Sequence, residues 1–257
     1  MSEIATPAPD AEPASAPAGP ADAGRGDVTA TEPTRAQAQL ARRVAESRAI
    51  VPTFTVRRTI DMVAAVAFRE GLAAEQAPPT INDLIIKAAG LALREHPKAN
   101  GAYRDGHFER YARVNVGFAV ATSQLFQVPT IFDADRKPLT QISAEATTLA
   151  ARVRAREITQ PELSGATFAV TNLGMFGVRS FEAIITPPQA AVLSVGALED
   201  RVVARDGAPA IRAQLDVELS CDHRLLYGAD AAQLLARIAE LLEAPAGTLD
   251  HPAGEVR

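Results

Sequence analysis

The sequence predicts an α+β domain, and three observations carry that expectation. Helical stretches with one apolar face stand towards both ends of the chain. Short β-branched and apolar runs cluster between them. Helices and strands also fail to alternate strictly, as a doubly wound sheet would require. With 257 residues and 47% hydrophobic content, the chain has enough apolar side chains to bury a substantial core.

Residues 1–33 stand apart. They hold nine alanines, six prolines, six acids and one arginine. Such a composition cannot offset the entropy of ordering, so it reads as a disordered acidic tail ahead of a domain over residues 34–257. TRAQAQLARRVAESRAIVP is helical, with Thr34 as N-cap, Leu40 and Val44 on one face, and Pro52 ending it. TFTVRRTIDM is β-branched and partly alternating, hence a strand. MVAAVAFREGLA is helical; after the break APPT, INDLIIKAAGLALREHP is an apolar-rich helix from about Asn82 to His96. ARVNVGFAVAT and VPTIFDA read as strands around a polar turn, followed by a long amphipathic helix from Leu139 to about Arg156. ATFAVTNLG, AAVLSVGAL and AQLDVELSC are further strands. In the last helix, GADAAQLLARIAELLE, Leu234, Leu235, Ile238, Leu241 and Leu242 make one apolar face.

The tail's charge of −5 equals that of the whole chain, so the domain is near neutral. Neither a nucleic-acid footprint nor a polybasic membrane anchor is present. No run approaches the roughly 20 apolar residues that span a bilayer, and the N-terminus lacks the pattern of a secretion signal, so a cytoplasmic location is expected. A single cysteine, Cys221, excludes an internal disulfide, and the four histidines lack metal-ligand spacing, so no metal is expected. Phosphate loops, dinucleotide fingerprints and GxSxG elbows are absent.

What remains is the stretch LSCDHRLLYGADAA. Leu215, Val217, Leu219 and Cys221 alternate with Gln214, Asp216, Glu218 and Ser220, so a strand continued by two residues points His223 to the apolar face. Partly withdrawn from water, that imidazole would tend to stay neutral and could accept a proton. The residues alone favour a structural histidine bonded to a carbonyl over a catalytic one. Cys221 reads as a nucleophile or, more simply, as a small buried side chain. Asp222 with Arg224 reads as a surface pair, and Tyr227 as a half-buried aromatic.

Four stretches change that balance: SGATFAVTNLGMFGVRSFEAIITPPQAAVLSVGAL, LSCDHRLLYGADAAQLL, INDLIIKAAGLALREHPKAN and VNVGFAVATSQLFQVPTIFDADRKPL. Together they closely resemble the catalytic domain of the dihydrolipoamide acyltransferases of 2-oxoacid dehydrogenase complexes, from about Thr34 to Pro245. The resemblance implies a chloramphenicol-acetyltransferase-like fold, a mixed sheet flanked by helices, assembled as a homotrimer with active sites between subunits. It makes His223 the general base and Thr171, where many relatives have serine, the hydroxyl donor to the oxyanion. It implies acetyl-CoA as co-substrate and no bound cofactor.

The sequence also departs from that pattern. Tyr227 stands where an aspartate is usual, so order after His223 has to come from Arg224 with Asp222, or from Asp230. Phe126 and Gln127 replace a Gly-Leu pair and are expected to line the substrate channel with Tyr227. No lipoyl-type segment precedes the domain, and the C-terminal DHPAGEVR is polar, which points to a free trimer. These departures lead to the expectation of acetyl transfer from acetyl-CoA to the hydroxyl of a small-molecule alcohol, such as the hydroxymethyl of a tetronate polyketide. The alternative is a dihydrolipoamide acyltransferase core whose lipoyl domain is supplied in trans. A third reading is a scaffold without activity.

Overall fold

The computed structural model describes residues 29–72, 78–121 and 126–249. Most of the expected tail, residues 1–28, and the polar C-terminus, residues 250–257, lie outside the described residues. Contacts divide the chain into a first unit ending at Arg43 and a second running from Val44. In the first unit the chain turns helical at Arg35, where Thr34 Oγ1 accepts from Gln37 N at 3.3 Å and Gln37 Oε1 accepts from Thr34 N at 2.9 Å.

The elements follow in the order α1 (Arg35–Ile50), β1 (Thr53–Asp61), α2 (Val63–Leu72), α3 (Ile81–Glu95), β2 (Gly101–Arg104), β3 (His107–Arg110), β4 (Val116–Phe118), β5 (Val120–Ala121), β6 (Phe126–Gln127), β7 (Thr130–Ile131), α4 (Leu139–Ala155), β8 (Phe168–Asn172), β9 (Ala191–Val195), β10 (Glu199–Arg205), β11 (Ala208–Asp222) and α5 (Gly228–Glu243). Seven strands form one sheet in the order β1-β11-β9-β8-β4-β7, with β10 pairing the first half of β11. The β4–β8 and β8–β9 pairs are parallel and the others antiparallel, so the sheet is mixed. This is the expected α+β class.

The helical faces set the core. Leu234, Leu235, Ile238, Leu241 and Leu242 of α5 are all buried, in one cluster with Leu84, Ile85 and Leu93 of α3 and with Val217, Leu219 and Cys221 of β11. Each such side chain contributes roughly 1.5–3 kcal/mol. Thr80 caps α3: its hydroxyl accepts from Asp83 N at 3.1 Å while Asp83 Oδ2 accepts from Thr80 N at 2.8 Å. The alternation in β11 does not separate core from solvent, because Glu218, Ser220 and Asp222 are buried too. Both faces of that half-strand are covered. Leu40 and Val44, expected to share a packed face, are each 37% exposed.

Two hairpins, β2–β3 and β10–β11, were not among the expected elements. Each turns on an Asp-Gly pair, Asp105-Gly106 and Asp206-Gly207, with positive φ at all four residues. Two consecutive left-handed residues match the right-handed twist of the flanking strands, and Asp-Gly adopts them at low cost. The sequence carries that signal in both RDGH and RDGA.

Lys87 is fully buried on α3 and donates to the carbonyls of Asp135 at 3.0 Å and Lys137 at 2.7 Å, tying α3 to the turn that starts α4. Burial pushes its ammonium down to about 8, opposed by the charge of Asp135. Between about pH 8 and the ordinary 10.5 the unfolded chain therefore binds a proton that the folded one lacks. Stability carries the full penalty below pH 8 and gains as pH rises through that window. Urea titrations from pH 7 to 10 are expected to show this gain in the wild type and to lose it in Lys87→Met. An equal slope in both proteins would assign it to other groups.

Candidate active site

β11 ends at Asp222, and the turn that follows places His223. Asp222 N donates to Ala190 O at 2.8 Å, and the Asp222 carbonyl accepts from Leu225 N at 3.1 Å and Leu226 N at 2.9 Å. Its buried carboxylate grips Arg224, with Oδ1 accepting from Arg224 N at 3.0 Å and Nε at 2.9 Å, and Oδ2 from Nη2 at 2.6 Å. The guanidinium also lies 4.6 Å from the Tyr103 ring centre. This is a built turn, not the surface pair that spacing alone allows.

The turn reverses one expectation. His223 does not continue the strand to the apolar face but is exposed in the single chain. Its main-chain N–H donates to Pro52 O at 2.9 Å, and its ring packs against Phe54 at 4.5 Å between centres and lies 5.9 Å from Tyr227. Cys221 fills the core position instead. Burial, with the charges of Asp222 and Asp230, pushes its thiol up to about 12, so it stays protonated and is no nucleophile.

Tyr227 is 55% exposed at the start of α5. The expected ordering by Asp230 is present: Asp230 Oδ2 accepts from Tyr227 N at 2.9 Å and from Lys98 Nζ at 2.6 Å. The Lys98 hydrogen bond holds the Asp230 carboxyl below the usual carboxylate range. Lys98 was not among the residues singled out from the sequence; it comes from the loop after α3 and has no motif to mark it.

Thr171 lies elsewhere. On β8 it is in register with Ser194 of β9, and Ser194 with Glu218 of β11. Asp222, the last residue of β11, is four residues beyond Glu218, so the strand end that carries His223 lies roughly 13 Å along the strands and about 10 Å across them from Thr171. Within one chain they do not meet. Phe126 and Gln127 join Thr171's half: β6 pairs with β5, and Ala119, just ahead of β5, donates to Val170 O at 2.9 Å. Phe126 is 47% exposed, while Gln127 Oε1 is buried without a hydrogen-bond partner among the described residues. The five expected residues thus fall into two groups, His223 with Tyr227 and Thr171 with Phe126 and Gln127. Among the described residues, no group of three or more His, Cys, Asp or Glu side chains is placed to hold a metal. No described helix is long and apolar enough to cross a membrane.

This architecture and its histidine turn define a class, the acyltransferase catalytic domains. The match is particular: residues 25–249 fit the 2-oxoacid dehydrogenases acyltransferase (catalytic domain) family, and the chain belongs to it. It is 38% identical over 218 residues to a dihydrolipoyllysine-residue acetyltransferase component of pyruvate dehydrogenase complex from Rhizobium meliloti, covering 82% of this chain and 49% of that one. A mitochondrial component from Arabidopsis thaliana is 36% identical over 219 residues, covering 81% and 40%. The chain thus spans about half or less of the length of these relatives.

Among solved structures, the Azotobacter vinelandii dihydrolipoamide acetyltransferase superposes with a TM-score of 0.84 at 32% identity, covering 91% of this chain and 99% of that one. It is described in a study of a serine, a histidine and an asparagine in its catalytic mechanism. The cubic core of the pyruvate dehydrogenase multienzyme complex gives 0.85, also at 32% identity and with the same coverage. The expected chloramphenicol-acetyltransferase-like fold is thereby established.

The same relatives overturn the expected transfer to a small-molecule alcohol. They are dihydrolipoyllysine acetyltransferases, which is the alternative reading and not a tetronate-pathway enzyme. The physical reason lies in where the departures sit. Tyr227 stands beside His223, and Phe126 and Gln127 lie on a hairpin next to β8, so the departures bear on the surroundings of these residues and do not by themselves define a new acceptor.

Replacing Asp222 with alanine leaves Arg224 without its partner and the turn without its grip. A loss of about 2 kcal/mol or more is expected in urea unfolding. Cys221 is expected to react with Ellman's reagent only after denaturation, and rapid labelling of the native protein would contradict its burial.

Proposed function

We infer that the protein transfers an acyl group between a dihydrolipoyl thiol and coenzyme A, as the core domain of a 2-oxoacid dehydrogenase complex. One observation carries the reading furthest. The serine and the histidine named for the Azotobacter enzyme are spaced as Thr171 and His223 are here, and its asparagine follows the histidine as Tyr227 does. The site would therefore consist of His223 as base and Thr171 as oxyanion donor, with Tyr227 in the third position.

In this scheme an imidazole nitrogen of His223 takes the proton of the coenzyme A thiol, and the thiolate attacks the carbonyl carbon of the acyl-dihydrolipoyl thioester. A new carbon–sulfur bond forms as the carbonyl π pair moves onto oxygen, where the Thr171 hydroxyl donates a hydrogen bond. Collapse expels the dihydrolipoyl sulfur, which takes the proton from the imidazolium. General-base assistance of this kind gives about 10²–10⁴ in rate, and an oxyanion donor roughly 10²–10³.

The separation of His223 from Thr171 within one chain supports a site shared between copies, consistent with a homotrimer. Coenzyme A enters as a co-substrate, and the lipoyl group arrives on another domain, whether of the same protein or of another.

The test is coenzyme A release from acetyl-CoA with dihydrolipoamide, the reverse direction. His223→Ala is expected to lower kcat at least a hundredfold and Thr171→Ala by roughly 10²–10³. Mixed under subunit exchange, the two inactive proteins are expected to recover part of the activity. No turnover with dihydrolipoamide in the wild type would reject the reading, and absence of rescue would reject the shared site.

A further inference from the structure

We propose that Lys98 is a positioning residue for His223, acting through the ring of Tyr227. The proposal rests on the acyl-transfer reading, in which His223 is the base, and extends it to a residue outside the motif.

Lys98 sits in a fixed loop between α3 and β2. Its neighbours Ala99 and Asn100 are buried, and Asn100 Nδ2 donates to the carbonyls of Tyr111 and Arg113, each at 2.9 Å. From there the ammonium makes two contacts. It donates to Asp230 Oδ2 at 2.6 Å, and it stands 4.4 Å from the centre of the Tyr227 ring. The same Asp230 oxygen accepts from Tyr227 N. Tyr227 is therefore held at its main chain by Asp230 and at its ring by a cation–π contact, two constraints that share one lysine.

That ring is one side of the place where His223 sits, and Phe54 is another. An exposed tyrosine would otherwise sample several rotamers and leave the imidazole equally free. A base that must meet a thiol within hydrogen-bond reach gains from losing that freedom beforehand.

The test uses the full chain with [15N]histidine labelling and compares wild type, Lys98→Met, Lys98→Arg, Tyr227→Leu and the Lys98→Met/Tyr227→Leu double variant. Lys98→Met is expected to lower kcat roughly tenfold. The KM for acetyl-CoA should stay within about twofold, and the His223 ring signals should change as the imidazole loses its fixed neighbour. Lys98→Arg keeps the ion pair and the cation–π contact, so it should restore both. In the Tyr227→Leu background, Lys98→Met should lower kcat no further.

Unchanged His223 ring signals and kcat in Lys98→Met, or additive losses in the double variant, would overturn the proposal. If the wild type releases no coenzyme A while the His223 ring signals still change in Lys98→Met, the positioning role stands and the acyl-transfer reading fails.

Discussion

The buried carboxylate of Asp222 is the constraint around which the rest of the site is arranged. It sits at the last position of β11, the strand that pairs with β1, β9 and β10 and gives the sheet its longest element. A carboxylate there would cost several kcal/mol if left alone. Arg224 answers it from two residues on, and the geometry of that answer forces the chain out of the sheet. His223, between the two, is turned away from the core and onto Phe54. The pair thus stabilises a direction change, and the direction change presents the histidine.

From that turn the architecture separates chemistry into two halves. The strand register puts Thr171 two strands across and far along the sheet from His223. No side-chain rotation closes such a distance, since the sheet is held by ladders on both sides of β9. In the proposed scheme a single copy therefore carries a base and an oxyanion donor that would serve different sites, and assembly of copies would be a condition for the chemistry.

The substitution at Tyr227 shows how a departure from a motif can be absorbed. A carboxamide or carboxylate at that position would offer a hydrogen-bonding side chain; a phenol ring offers a face. Lys98 and Asp230 supply the polar contacts around it, one on the ring and one on the main chain. The surroundings of the histidine are thus rebuilt with different chemistry, and the departure gives no ground for a different acceptor.

Much of this was legible beforehand, for identifiable reasons. The apolar face of α5, the break before α3 and the β-branched run of β1 are local patterns, and local patterns survive in one dimension. The Asp-Gly turns of two hairpins were equally local and passed unread. The resemblance carried by DHR and NLG also singled out His223 and Thr171. What sequence could not decide was orientation. Alternation along β11 pointed His223 inward, and only the closure of Asp222 on Arg224 turns it out. Likewise Lys98 and Tyr227 are distant in the chain and meet only because α3 and α5 pack side by side. By itself the sequence determined the main helices, most strands of the large sheet and the family, since these depend on residue type and short spacing. The tertiary structure alone decided which side chains share a site, because that depends on strand register and helix packing between segments that carry no signal of each other.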